Sequence, residues 1–164
     1  MKKLYIIGGT MGVGKTTVSQ LLKEKLPRSV LLDGDWCWDM SPFQVTEETK
    51  SMVIDNICYL LNNFIKCSAF DNIIFCWVMH EQSIIDNICS RLDKKQCRCI
   101  ILSLVCSEGE LKRRLMKDIE SGRRSADVIE RSIRRISLYD LLDSVKIDTT
   151  QKHAEEVAEI ISKL

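Results

Sequence analysis

The chain is expected to fold as an α/β protein, with five parallel strands covered on both faces by helices. Two observations lead there. Apolar runs of strand length alternate with segments of helical periodicity along all 164 residues, and the first run ends in a glycine-rich turn that opens a helix. Such alternation argues for parallel pairing, because each connection must cross back over a face of the sheet. The length suits one domain, residues 1–164, with one core. No repeat, linker or low-complexity segment interrupts it.

The first strand is Leu4-Tyr5-Ile6-Ile7. From Thr16 to about Lys25, Val18, Leu21 and Leu22 keep helical spacing, and Pro27 marks the stop. A second strand covers residues 29–32 and is closed by Asp33-Gly34-Asp35. Residues 36–43, aromatic-rich and broken by Pro42, read as a loop. Thr46 is placed to cap a long helix, with Glu47 and Glu48 in its first turn. Val53, Ile57, Leu61 and Ile65 mark the apolar face of that helix, which ends near Cys67. Residues 73–78 form a third strand, apolar throughout as a strand buried on both faces should be. Ile84, Ile85, Ile88, Cys89 and Leu92 share a helix face, followed by a polar turn at residues 93–96. The fourth strand spans residues 99–105. Ser107 and Glu110 fit a capping box for a helix carrying Leu111, Leu115 and Ile119. Ser121-Gly122-Arg123-Arg124 interrupts it. Asp127 then caps a further helix to about Leu142, with Glu130 at its third position. Residues 145–147 make a short fifth strand, and Ala154, Val157, Ala158, Ile161 and Leu164 mark a closing helix.

Composition narrows the classes of function. The chain is 45% hydrophobic and 29% charged, with a formal net charge of +1. That balance gives no reason to expect nucleic acid or a membrane surface as the main partner. No apolar run approaches bilayer length, and Met1-Lys2-Lys3 leads into a strand rather than a signal peptide. The eight cysteines are scattered without a C-x-x-C pair. They read as the reduced thiols of a cytoplasmic protein.

Residues 9–16 carry the sharpest signal, matching G-x-x-x-x-G-K-[ST] without departure. Gly9, Thr10, Met11, Gly12, Val13 and Gly14 let backbone N–H groups turn inward on phosphate oxygens. Lys15 reaches the β- and γ-phosphates, Thr16 offers a hydroxyl to Mg²⁺, and Thr17 follows in the first turn, where the helix N-terminus adds partial positive charge. This Walker A loop is read as a nucleotide site for ATP with Mg²⁺.

In open parallel sheets, ligands bind beyond the carboxyl ends of the strands. That rule selects Gly9, the pair Asp33 and Asp35, His80 and Glu81, and Asp148 and Thr149, which are expected to converge on one cleft. If the second strand continues, Asp33 and Asp35 point the same way. One carboxylate can then hold Mg²⁺ through water while the other takes a proton from an attacking hydroxyl. Arg113, Arg114, Arg123, Arg124, Arg131, Arg134 and Arg135 flank or fill the break between two helices, where cations over a transferring phosphoryl group and a hinged cover are wanted. Residues 113–135 are therefore read as an Arg-rich lid. Trp36, Trp38 and Phe43 either wall an acceptor pocket or pack beneath the helix from Thr46. His80 is a candidate acceptor contact, and His153 reads as a capping or solvated residue.

Together these residues resemble the small P-loop kinases of the nucleoside-monophosphate-kinase-like group. GTMGVGKTT looks like their phosphate loop. Residues 31–35, LLDGD, are similar to the strand-two ending of gluconate, adenylylsulfate and shikimate kinases, and residues 122–148 resemble the lid and last strand of chloramphenicol-phosphotransferase-type proteins. The resemblance implies a three-layer α/β/α P-loop fold with strand order 2-3-1-4-5 and ATP with Mg²⁺ as donor. It implies Asp35 as the acceptor-side carboxylate and Asp33 beside Thr16 at the metal. It also implies Arg123 or Arg124 as a lid arginine, with Arg124 at the transfer step. Arg113 or Arg114 would lie on adenine, with Asp148 or Thr149 near the base. The third strand departs from the pattern, having no acid until Glu81. Metal coordination is left to Thr16, phosphate oxygens, water and Asp33.

The leading expectation is an ATP-dependent kinase for a hydroxyl of a small molecule. A nucleoside or nucleotide kinase, or a nucleotide-binding ATPase module without an acceptor, stays open. The absence of an N-K-x-D motif speaks against a regulatory GTPase.

Overall fold

All five strands run in the same direction, so their carboxyl ends, and the loops that leave them, share one edge. The computed structural model describes the backbone of residues 1–164 and every side chain except that of Gln96, whose place in the expected turn at 93–96 lies outside the described residues. The strands are β1 (Lys2–Gly8), β2 (Ser29–Asp33), β3 (Asn72–Cys76), β4 (Cys97–Val105) and β5 (Val145–Asp148), and they pair in the order β2-β3-β1-β4-β5. Between them run α1 (Lys15–Lys25), α2 (Glu47–Lys66), α3 (Gln82–Ser90), α4 (Glu108–Glu120) and α5 (Val128–Asp140), and α6 (Ala154–Ser162) closes the chain. This is the expected α/β fold and strand order. No helix is long and apolar enough to cross a membrane.

The period-two alternation of a strand divides the core. Tyr5 and Ile7 of β1 face Val18 and Leu22 of α1, Leu111 and Leu115 of α4, and Val157 and Ile161 of α6. Leu4 and Ile6 face the opposite way, onto Val53, Ile57 and Leu61 of α2 and Ile85 and Ile88 of α3. Helix α5 belongs to both sides, burying Val128 in the first layer and Tyr139 in the second. It therefore passes over the carboxyl edge of the sheet, where the functional loops lie.

The parallel register fixes what meets at that edge. Asp33 of β2 stands opposite Cys76 of β3, and Cys76 opposite Ile7 of β1. Thr46 caps α2 as expected, accepting the Thr49 N–H at 3.1 Å, and Ser107 caps α4 by accepting the Glu110 N–H at 3.3 Å.

Three local expectations change. Residues 36–43 are not all loop, because Gly34–Trp38 form a 3-10 turn directly after β2. That turn takes β2 away beyond Cys76, leaving Trp77 only a bond from its N–H to the Ile7 carbonyl at 3.1 Å, and β3 stops at Cys76 rather than at residue 78. Asp127 precedes α5 without capping it, since its carboxylate accepts the nearby Ser125 hydroxyl instead.

Candidate functional site

The loop between β1 and α1 has a shape only its glycines allow. Gly12 has φ +83, and a Cβ there would come within 2.5 Å of Leu115 Cδ2 on α4. Gly14 has φ +103 and nothing within 4 Å of its would-be Cβ, so it faces open space at the start of α1. The Thr10 hydroxyl donates to the Ser132 carbonyl at 3.1 Å, which ties the loop to α5. The Lys15 ammonium folds back and donates to the Thr10 carbonyl at 3.0 Å. Burial draws it down to about 8, and nearby Asp35 and Asp33 work against that fall.

Asp33 and Asp35 do not act as a matched pair. Asp33 ends β2 almost fully buried. Its Oδ2 accepts the Thr16 hydroxyl at 2.9 Å and its Oδ1 accepts the Asp35 N–H at 3.1 Å. The second bond starts the 3-10 turn, so the strand does not continue and the two carboxylates part company. Asp35 is left on the cleft wall, open to solvent on one side and covered by the wall on the other. Partial burial and then the neighbouring Asp33 charge raise its carboxyl above the usual range, while Lys15 and the Trp77 indole pull the other way. Beside Asp33 the third strand supplies only Cys76, whose thiol burial pushes up to about 12. It is neutral at physiological pH. Among the described residues no cluster of three or more His, Cys, Asp or Glu side chains could hold a metal ion.

Three cavities surround this loop. One of about 620 Å³ lies over Gly14, Lys15 and Thr16, and is bounded on its far side by Arg113, Arg123 and Arg124. Arg123 and Arg124 both reach Asp118 of α4, at 3.6 and 3.1 Å. A second, of about 480 Å³, continues past Thr17 to Thr149, Thr150 and His153. Arg114 borders both, and its guanidinium spans four bonds: Glu110 at 2.7 Å, the Val13 carbonyl at 3.1 Å, the Thr149 hydroxyl at 3.0 Å and the Thr149 carbonyl at 2.7 Å. Thr149 thus reaches the cavity. Asp148 lies outside its lining and instead accepts the Thr150 N–H and hydroxyl at 2.9 and 2.5 Å, which shapes the turn.

The third cavity, about 710 Å³, opens on the other side of Asp35. Trp38, Phe43 and Trp77 wall it, and His80, Glu81 and Arg135 form its polar end. Trp38 and Phe43 therefore face a cavity, whereas Trp36 is 57% exposed and takes no part. Trp77 sits here because Gly34 has no side chain: a Cβ at Gly34 would fall 2.4 Å from Trp77 Cγ. The arginines of α5 divide. Arg131 and Arg134 pair on the surface with Asp127 and Glu130, while Arg135 lines the cavity. Sequence reasoning left Trp77, Met11 as a wall of this cavity, and Ile84 without a site role. The one available signal was a tryptophan, Trp77, near the carboxyl end of the expected third strand.

A family described as AAA domain matches residues 6–135 of the chain. A comparison with curated proteins gave no match. Among solved structures, a sugar kinase from Janibacter sp. is similar with a TM-score of 0.75 at 13% identity, over 99% of this chain and 94% of that one. The tunicamycin resistance protein of Deinococcus radiodurans gives 0.69 at 18% identity, over 99% and 95%. A shikimate kinase from Acinetobacter baumannii, solved in complex with shikimate, gives 0.59 at 19% identity, over 98% and 90%. At these identities the likeness is one of fold.

Proposed function

The chain belongs to the AAA domain family, and from that premise we propose that it is an ATP-dependent kinase that transfers the γ-phosphoryl group to a hydroxyl of a small molecule. The observation that carries the reading is the position of Asp35. It lines the third cavity, yet lies close enough to Lys15 of the phosphate loop for each to shift the other's titration. A carboxylate between a polyphosphate cradle and a separate pocket is where an attacking hydroxyl must be oriented.

The residues fit the two groups that this reading requires. The open face at Gly14, the Lys15 ammonium and the start of α1 suit a polyphosphate. The second cavity, pinned by Arg114 and Thr149, suits its base. Thr16, held by the buried Asp33 carboxylate, offers a hydroxyl oxygen of the kind Mg²⁺ prefers, with Asp33 behind it to bind the ion's water. When bound, Mg²⁺ neutralises charge on the phosphates.

Asp35 orients the acceptor hydroxyl and takes its proton as the oxygen attacks. Its raised carboxyl makes it a better base than an ordinary aspartate. Lys15 and Arg124 place positive charge over the transferring group. Residues 113–135 form the lid of a single kinase domain spanning 1–164, with Asp118 holding Arg123 and Arg124 until phosphate competes for them.

The experiment is ADP release with and without a panel of hydroxyl-bearing metabolites. Acceptor-dependent release, abolished by Lys15→Ala and by Asp35→Asn in folded protein, is expected. Asp35→Asn should leave ATP binding intact. Steady ATP hydrolysis that no acceptor changes would instead indicate an ATPase module.

A further inference from the structure

The third cavity has a chemistry of its own. Trp38 packs against Trp77 with ring centroids 6.2 Å apart and against Phe43 at 5.9 Å. Trp38 Nε1 donates to the Gln44 carbonyl at 3.2 Å, and the Trp77 indole lies close enough to Asp35 to lower its titration. What they present to the cavity is therefore ring face. With Phe43 and Ile84 the same wall offers no donor or acceptor. Hydroxyls buried against it would lose their water without gaining a partner.

The two ends of the cavity differ. Asp35 stands at the phosphate-loop end. At the other end Arg135 sits beside His80, whose titration burial and then Arg135 lower, and beside Glu81, whose carboxylate turns to His80 Nε2 at 3.5 Å rather than to Arg135. Lys50, the other cation of the lining, is paired with Glu47 at 2.8 Å. Among the described residues Arg135 has no carboxylate within 4.0 Å, whereas the neighbouring arginines Arg131 and Arg134 both do. An unpaired guanidinium at the end of an apolar slot is a seat for an anionic substituent.

We infer that the acceptor is an alcohol carried on a flat, apolar, ring-sized body with one carboxylate-like group opposite the hydroxyl, rather than a polyol. The hydroxyl meets Asp35, the ring lies along Trp38 and Trp77, and the anion meets Arg135. This inference rests on the kinase reading for the identity of the cavity as an acceptor site.

Three probes separate its parts: 4-(hydroxymethyl)benzoate, benzyl alcohol, which lacks the anion, and gluconate, which lacks the ring. Binding is read without nucleotide, by tryptophan fluorescence and by saturation-transfer NMR, and ADP release is read separately with ATP and Mg²⁺. The ring acid is expected to bind about tenfold more tightly than either other probe. Arg135→Gln should erase its advantage over benzyl alcohol, and Trp38→Leu should weaken both ring compounds. Gluconate binding as tightly as the ring acid, an Arg135→Gln variant that keeps the preference, or no binding by any probe at millimolar concentration would overturn the inference. The expected binding order without any ADP release would leave it standing and remove the kinase reading. Release driven by gluconate alone would do the reverse.

Discussion

Arg114 offers the most direct test of how this site is held together. Its side chain joins three segments that are far apart in sequence: the phosphate loop through the Val13 carbonyl, the turn after β5 through Thr149, and its own helix through Glu110. Val13 is 1% and Thr149 2% exposed. Truncation to alanine therefore strands the Val13 carbonyl and leaves the Thr149 carbonyl only the Lys152 N–H at 3.3 Å. A hydrogen bond from a charged donor contributes about 1.5 kcal/mol at the lower end of its range, so the pair costs about 3 kcal/mol. Glu110 keeps both of its bonds to Arg113, so losing its Arg114 contact adds little. For a chain of this length about 3 kcal/mol lowers the melting temperature by about 6 to 12 °C. Arg114→Lys keeps the charge but cannot span both carbonyls, and should recover no more than about half the loss. Calorimetric melting of the three proteins measures this, and equilibrium binding of ATP should show the loop loosened in both variants. If Arg114→Ala melts within about 2 °C of the parent, or if lysine restores the full value, the guanidinium is not the brace described.

Three further outcomes follow from particular contacts. With Lys15 drawn down to about 8, ATP affinity should fall as pH rises beyond that value, by up to about tenfold over the first unit. Over the same window the unliganded fold should become more stable, because the unfolded chain, with its lysine near 10.5, binds the extra proton. Lys15→Arg should flatten the binding curve, and a wild-type curve without a bend between about pH 7 and about 9 would refute the assignment. Gly34→Ala forces its Cβ against Trp77. It should cost about 1 to 3 kcal/mol in urea unfolding and raise the acceptor KM while sparing ATP affinity; parallel loss of both would place Trp77 elsewhere in the mechanism. Asp118→Asn releases Arg123 and Arg124 from their only carboxylate partner among the described residues. ATP should bind up to about fivefold more tightly at low salt, with the gain fading as salt screens it. A drop in affinity would mean that Asp118 positions these arginines rather than competing for them.

How much of this was legible in the chain depends on whether a feature is local. The phosphate loop is contiguous, and its backbone geometry follows from three glycines at fixed spacing, so eight residues sufficed to find it. The number of strands was readable from the apolar runs, whereas their order was implied only by the resemblance to the P-loop kinases and agrees with the sheet found. The acids were found as a pair but not by role. What separates them is a single bond, the Asp35 N–H to Asp33 Oδ1, which ends the strand, and no pattern of apolar residues encodes where a carboxylate will cap its own chain. The arginines show the same limit in another form. Arg131, Arg134 and Arg135 look alike in the sequence, and they are told apart only by whether a carboxylate stands within reach. For Arg131 and Arg134 that partner lies one helical turn away, so their surface pairing was readable from spacing. Arg135 owes its place to what faces it across the cavity, on the loops after β2 and β3.

The third strand shows why the missing acid does not leave the loop without a carboxylate. Cys76 lies in register with Asp33, and the two are close enough to shift the thiol's titration. Two ionised acids at these adjacent strand ends would repel one another in a buried setting. A neutral thiol at Cys76 lets Asp33 sit buried and bonded to Thr16 with no second acid beside it. Moving the charge from the third strand to the second also brings it one residue from Gly34, and hence within a turn of Asp35. The residue that steadies Thr16 and the residue that faces the third cavity then sit at the start of one 3-10 turn, so the geometry between the phosphate loop and that cavity is set by the same few backbone torsions.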